Sequence, residues 1–307
     1  MIVVAGEALI DRIESPDGRV VDVPGGGPYN VARTIALLGG TVAFLGRLST
    51  DVWGELLRSR LIADGVDLRL TVSTDDPTPI ASARVDRDGS ATYVFQVEGS
   101  AAAGLVLHDI PGGLPPETAA LHVGTLGLVL EPMATTIETL VGTLGADVLV
   151  MLDLNCRPSA IADPAAYRAR IDQVLARTDV VKASVEDLAY LRPGAEALHA
   201  ASGLLALGPP AVLLTDGARP VRIVTAAGVD ELPIPPVRVV DTVGAGDAFG
   251  GGFISEWIGA GLPRGDAGRR ESLISATAFA IAVAGLTTTR AGAEPPAAAE
   301  VSELAGG

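Results

Sequence analysis

The segment VVDTVGAGDAFGGGF, residues 239–253, sets two carboxylates, Asp241 and Asp247, among five glycines ahead of an apolar helix. Gly244 and Gly246 permit backbone conformations closed to other residues and let a ligand approach the main chain. The free amides of a helix's first turn, with the positive end of its dipole, then form an anion site. The acidic residue inside that turn is the informative feature. Asp247 would repel a bound phosphate unless its carboxylate has a task of its own. Accepting a proton from a substrate hydroxyl, while the amides neutralise a transferring phosphoryl group, is such a task. The competing reading is a glycine-rich helix start with Asp247 as a capping residue. The full stretch weighs against it, because its other features have no structural need to coincide. No Gly-Lys-Ser/Thr follows, so this is not a Walker A loop. The first strand does not lead into GxGxxG, which leaves a dinucleotide fold without support.

Such a turn has to be held between strand ends and helix starts, and the chain alternates between the two. MIVVAGEAL reads as a buried first strand of nearly continuous apolar residues, as in a parallel sheet. NVARTIALLGG (30–40) has helical spacing and a glycine stop, followed by the strand TVAFLGRL and the amphipathic helix WGELLRSRLIADGVD. The alternation then breaks. Residues 70–100 alternate apolar and polar positions around DRDG, a hairpin signal, and a shorter hairpin occupies 11–26 around PDG. Two half-polar antiparallel insertions of this kind are expected to form a small sheet that covers the main domain.

After residue 118 the alternation returns, with strands ALHVGTL, DVLVMLDLN, DVVKAS, AVLLTDG and the pair VRIVTAAG and VDELPIP. Helices are predicted at 132–145, 164–177, 185–191 and 195–207, then at 246–261 and 270–284. No linker and no internal repeat is evident. The reading is one α/β domain over 1–307 with a lid formed by insertions at about 11–26 and 70–100.

Composition narrows the function. The chain has 307 residues, 48% of them hydrophobic, enough for a sizeable core. A net charge of −15 and a pI near 4.5 argue against nucleic acid and anionic membranes as partners. A nucleotide is a different matter, since it needs only a local nest of amides and a cation or two. No apolar run reaches the ~18 residues of a membrane span. The amino terminus meets an acidic residue at position 7 and lacks a basic n-region, so it is not read as a signal peptide. The lone cysteine, Cys156, excludes an internal disulfide framework and suggests a reducing cytoplasm. His108, His122 and His199 are scattered without metal spacing and are read as structural or solvated.

DTVGAGDAFGGGF resembles the C-terminal signature of the ribokinase-like sugar kinases, the PfkB carbohydrate kinase family. VPGGGPYNVARTIALLG (23–39) is similar to the family's N-terminal signature, a Gly-Gly pair followed by Asn on a helix. GEALIDR (6–12), GRLSTDVWGELLRSRLIADGVD (46–67), DLNCRP (153–158) and TDGARP (215–220) fall in the family's order. The resemblance runs over nearly the whole chain. It implies a three-layer α/β/α domain with a mostly parallel central sheet, a small β-sheet lid, and ATP-dependent phosphorylation of a small sugar with Mg2+.

By that resemblance Asp247 is the catalytic base, and the amides of Gly244, Ala245 and Gly246 form the anion hole. Asp11 would bond sugar hydroxyls. Gly25 and Gly26 match the lid hinge, with Gly27 adding slack. Asn30 offers donors and an acceptor suited to a polyol, or an N-cap for a helix at 31–38. In DLNCRP, Asp153 and Asn155 are read as sharing one face of a strand end. Arg157 is a plausible sugar or phosphate contact, its planar fork suiting oxyanions, against a surface salt bridge. Cys156 is read as a small buried hydrophobe.

Where the family carries Asn-x-x-Glu to organise magnesium, this chain has Ser184 and Asp187, which are expected to take that role with shorter reach. Lys182, the only lysine, is either a phosphate contact or a solvated side chain. Thr215, Asp216 and Gly217 resemble the turn that meets the nucleotide. Helix 272–285 and loop 286–293 would flank adenine. The carbonyls of Asp241 and Val243 are the expected ligands of a potassium ion.

GEALID, PGGGPYNVA and DLNCRP stand closer to the fructokinase-like branch than to the nucleoside kinases. The acceptor is accordingly read as fructose-, ribose- or keto-sugar-acid-like. The alternative is a nucleoside (adenosine-like) kinase, disfavoured by only 11 aromatic residues for base stacking. A non-catalytic sugar or nucleotide sensor is a further alternative, disfavoured by the intact Asp247 motif. Tyr29, inside the hinge signature, either marks an unusual acceptor or packs under the lid. A homodimer through the lid is the expected assembly.

Overall fold

The computed structural model describes residues 1–15, 17–85 and 91–306. In chain order β1 (Ile2–Ala5), β2 (Leu9–Glu14) and β3 (Val20–Gly25) precede α1 (Gly27–Leu37). There follow β4 (Val42–Ser49), α2 (Val52–Ala63), β5 (Thr71–Thr74), β6 (Ile80–Val85), β7 (Ala91–Gln96), β8 (Ala120–Gly124) and α3 (Met133–Thr143). The second half holds β9 (Leu149–Asp153), α4 (Pro164–Leu175), β10 (Val180–Ser184), α5 (Val185–Leu191), α6 (Ala197–Leu205), β11 (Ala211–Thr215), β12 (Val221–Thr225) and β13 (Gly228–Leu232). Three helices close the chain, α7 (Ala245–Gly259), α8 (Arg270–Thr287) and α9 (Ala298–Gly306).

Nine strands form one sheet in the order β13-β12-β11-β10-β9-β8-β1-β4-β5. From β11 to β5 every neighbour is parallel, and β12 and β13 add an antiparallel edge. The continuous apolar runs that mark these strands bury both faces, because successive side chains point to opposite sides. Val3, Val150 and Leu152 pack with Ile137 of α3, Ile171 of α4, Leu188 of α5 and Leu204 of α6. Ile2, Val4 and Met151 pack on the other side with Ile35 of α1, Leu57 of α2, Phe253 of α7 and Ala276 of α8. The sheet is thus the middle of three layers.

The small second sheet runs β3-β2-β6-β7. Each expected hairpin is antiparallel, and the two join through a parallel β2–β6 pair, Asp11 opposite Ala81. The expectation differs from the structure in three places. MIVVAGEAL is not one strand, since β1 stops at Ala5, Gly6 takes φ 148° and β2 starts the small sheet at Leu9. Residues 71–74 belong to the main sheet as β5, paired with β4 and anchored by Thr71 Oγ1 donating to the Phe44 carbonyl at 2.8 Å. The second insertion therefore starts at Ile80. Helix α1 begins at Gly27, so Gly27 is a helical residue and adds no slack. The DRDG turn, 86–89, and Pro16 of PDG lie outside the described residues.

The chain passes from β1 to β4 on one side and later returns to β8 on the other. The carboxyl ends of β1, β8 and β9 therefore open onto a topological switch point, where α/β sheets place their ligands.

Candidate active site

A cavity of about 560 Å³ lies at that switch point. Its floor is the 241–247 turn with the ends of β1 and β9. Leu9, Asp11, Ile13, Val23 and Phe95 of the small sheet line it from the opposite side.

Gly244 is the N-cap of α7 and sits in the left-handed region at φ 75°, where a side chain would be strained. The amides of Gly244 and Gly246 make no hydrogen bond among the described residues, and both residues line the cavity. The Ala245 amide donates to the Thr242 carbonyl at 3.2 Å and closes the turn. Ala245 does not line the cavity, so the free amides of the expected trio are Gly244 and Gly246.

Asp247 is the third residue of α7 and is buried. Its Oδ2 accepts a 2.8 Å bond from Asn30 Nδ2, a partner 217 positions away. Burial pushes its pKa up, while Asn30, Lys182 and Arg157 pull it down. A carboxylate more basic than usual, held by one amide, is the chemistry of a general base. Asn30 is not an N-cap: Gly26 caps α1 at φ 107°, and Asn30 lies inside the helix.

Asp11 projects from β2 into the cavity, its pKa raised to about 6 by burial and by Asp247, against Arg157. The missing side chain of Gly25 makes room for it, since a β-carbon there would collide with Asp11 Oδ2. Arg157 lines the same end and has no ion pair among the described residues, its Nη1 donating to the Cys156 carbonyl at 3.2 Å. That is not a surface salt bridge. Asn155 and Asp153 do not share a face. Strand β9 ends at Asp153, and Asn155 turns to φ 36° and lines the cavity.

Two contributors escaped the sequence reading. Thr125 sits at φ 51° and accepts from Asn155 Nδ2 at 3.3 Å, so two non-glycine residues in the left-handed region face each other at the cavity wall. Such conformations gather at ligand sites. Glu7, between β1 and β2, is fully buried and lines the cavity. An acid next to a Gly at the end of a first strand was the available signal.

A model of the pfkB family of carbohydrate kinases matches residues 1–299. The chain belongs to that family. It is 35% identical to a fructokinase of Klebsiella pneumoniae over 267 residues, covering 85% of each protein. The fructokinase of Xylella fastidiosa with bound ATP superimposes with a TM-score of 0.89 at 29% identity, covering 99% of this chain and 97% of that one. A fructokinase double mutant from Vibrio cholerae O395, with fructose, ADP and potassium ion bound, gives a TM-score of 0.87 at 27% identity, covering 98% and 97%. The fold is therefore ribokinase-like, and the protein is a phosphotransferase acting on a sugar hydroxyl. No helix among the described residues is long and apolar enough to cross a membrane.

In this kinase several expected ligands are engaged elsewhere. Asp187 is engaged within the fold: its oxygens accept the amides of Cys156 (2.6 Å) and Ser184 (2.8 Å). Ser184 Oγ in turn accepts the Asp187 amide at 3.0 Å, a capping box that occupies both residues. Lys182 is neither solvated nor at the cavity surface. Its buried Nζ bonds both oxygens of Asp153 at 3.0 Å. It lies behind the glycine turn, where a β-carbon on Gly246 would come within 2.9 Å of Nζ. Burial works against its charge, but Asp153, Asp187 and Asp247 hold its pKa above the usual value. A positive charge thus sits behind the glycine turn. Among the described residues no group of three or more His, Cys, Asp or Glu side chains is placed to hold a metal ion.

The Asp241 carboxylate accepts the amides of Val243 (3.0 Å) and Gly292 (2.8 Å), tying the turn to loop 286–293. The carbonyls of Asp241 and Val243 accept no N–H bond among the described residues, which fits carbonyl ligation of potassium. Thr215 ends β11 and Gly217 follows at φ 55°, both outside the cavity lining. Tyr29 is core: fully buried, with the Arg33 guanidinium 5.7 Å above its ring. Cys156 is buried near Tyr167, its thiol pushed up to about 12 by burial, and is inert.

Proposed function

We propose that this kinase transfers the γ-phosphoryl group of ATP to a hydroxyl of a small sugar, fructose before ribose or a keto-sugar acid, with Asp247 as general base. The observation that carries the reading is the buried Asp247 held by Asn30 beside two free amides on one cavity floor. Asp247 takes the hydroxyl proton as that oxygen bonds to the γ-phosphorus. The bond to the β–γ bridging oxygen breaks, ADP leaves, and Asp247 later returns its proton to solvent. The amides of Gly244 and Gly246, with Lys182 behind them, stabilise charge on the transferring group. Asp11, Asn30 and Arg157 bind the acceptor. The small sheet acts as a lid that turns at Gly25 and Gly26 and excludes water.

Thr215 and Gly217 are assigned to the nucleotide's far end, and the carbonyls of Asp241 and Val243 to potassium. The enzyme is assigned to the cytoplasm as a homodimer through the small sheet, whose Val20 and Val94 are exposed. The nucleoside alternative gains little, since Phe95 is the only aromatic lining the cavity among the described residues. An ADP-release screen over sugars, polyols and nucleosides, with and without potassium, tests the reading. Fructose turnover is expected. Turnover of no small hydroxyl acceptor would revive a sensor.

A further inference from the structure

Glu7 has no part in the chemistry above, yet it is the most enclosed carboxyl group at the cavity. Its side chain is fully buried between β1 and β2. Oε1 accepts the amide of Gly27 at 3.3 Å, at the first residue of α1 beside the Gly26 hinge. Packing is tight there, since a β-carbon on Gly26 would lie 2.9 Å from the Glu7 carbonyl oxygen. Oε2 has no hydrogen-bond partner among the described residues. A buried polar atom left unpaired costs on the order of 1–3 kcal/mol, so its retention at a cavity wall points to a partner that comes and goes.

We propose that Glu7 is a further acceptor-binding residue, with Oε1 fixed to the lid hinge through Gly27 and Oε2 hydrogen-bonding an oxygen of the sugar. The inference rests on the sugar-kinase reading. The charged groups around Glu7 are Asp247 on α7, Asp11 on β2 and Arg157 after β9. Burial, with a smaller push from Asp247, outweighs the backbone amides of Glu7 itself and Gly27 and the charge of Arg157, and raises its pKa to about 8. At neutral pH Glu7 therefore carries a proton. With Oε1 accepting from Gly27, that proton belongs on Oε2 and makes it a donor. A neutral donor suits a hydroxyl or ring oxygen and adds no negative charge beside Asp247. Because Oε1 holds the hinge, filling Oε2 couples acceptor binding to the placement of α1.

The test is steady-state kinetics of the full chain with fructose and ATP. Glu7→Leu should raise the sugar KM about tenfold or more, with the ATP KM within about twofold of wild type. Glu7→Gln, which can keep the Gly27 bond and donate from its amide nitrogen, should recover most of that loss. In wild type, kcat/KM for sugar should fall as pH rises through about 8, where Glu7 loses its proton, and E7Q should lack that fall. An unchanged sugar KM in E7L, an equal rise in both KM values, or an alkaline fall shared by E7Q overturns the proposal. If E7L does not fold, the E7Q pH profile alone decides. A wild-type enzyme that turns over no sugar overturns the functional reading and this inference together. Sugar turnover with an unchanged E7L overturns this inference alone.

Discussion

Helices α5 and α7 both begin at the carboxyl side of the sheet, and both carry an aspartate as third residue. Their first turns have opposite fates. In α5 the cap is Ser184, and Asp187 reaches back to the Ser184 amide while also holding Cys156. Ser184 and Asp187 are thus satisfied by each other within the fold. In α7 the cap is Gly244, which has no side chain to return a bond, and Asp247 turns away to Asn30. The amides of Gly244 and Gly246 make no hydrogen bond among the described residues. A helix start with its own cap is structure. A helix start capped by glycine keeps amides whose affinity for an anion is unspent.

The largest effect expected from this contrast is in Asp247→Asn, which keeps the shape and removes the base. Its kcat should fall by ~10²–10⁴-fold, with ATP affinity measured by titration nearly unchanged. In wild type the raised pKa means that Asp247 stays ionised, and active, only above the ordinary carboxylate range. The acid side of the kcat profile should therefore fall at a higher pH than a free aspartate would set.

Asn30→Ala comes next, with kcat/KM down about 10–100-fold from loss of a hydrogen bond to a charged group. Since Asn30 pulls the Asp247 pKa down, the acid limb should also move to higher pH in this variant. A limb that stays put would detach Asn30 from the base.

Gly251→Ala tests the packing that sets α7 against α1. A β-carbon there would lie 2.7 Å from Thr34 Cβ, so the helices must part, at about 1–3 kcal/mol in chemical denaturation. The smallest effect belongs to the closed helix. Ser184→Ala should cost about 1 kcal/mol of stability and leave the ATP KM in place. A large rise in that KM would return Ser184 to the nucleotide site and erase the contrast.

Much of this was legible in the chain. GAGD announced the open turn because glycine at a cap and an acid inside the turn are local facts of backbone sterics and charge. The glycines beyond it were misleading company: Gly251 faces Thr34 of α1 and Gly252 faces Val283 of α8, so they serve helix packing and not phosphate. In SVED the spacing shows an acid but not its partners, so the capping box of Ser184 and Asp187 and the bond to Cys156 were not visible. Glu7 and Thr125 passed unnoticed because an acid and a threonine at strand ends are ordinary until a cavity forms over them.

The sequence by itself determined most of the strands and helices and the glycine turn before α7, since periodic burial, capping and glycine geometry act over a few residues. Only the tertiary structure decided which acids are free to react. Asp247 meets Asn30 across 217 positions, Lys182 meets Asp153 between neighbouring strands, and Glu7 meets Gly27 at the start of α1. Burial and partner, which set a carboxyl group's proton affinity, come from the order of strands in the sheet, and no local pattern encodes that order.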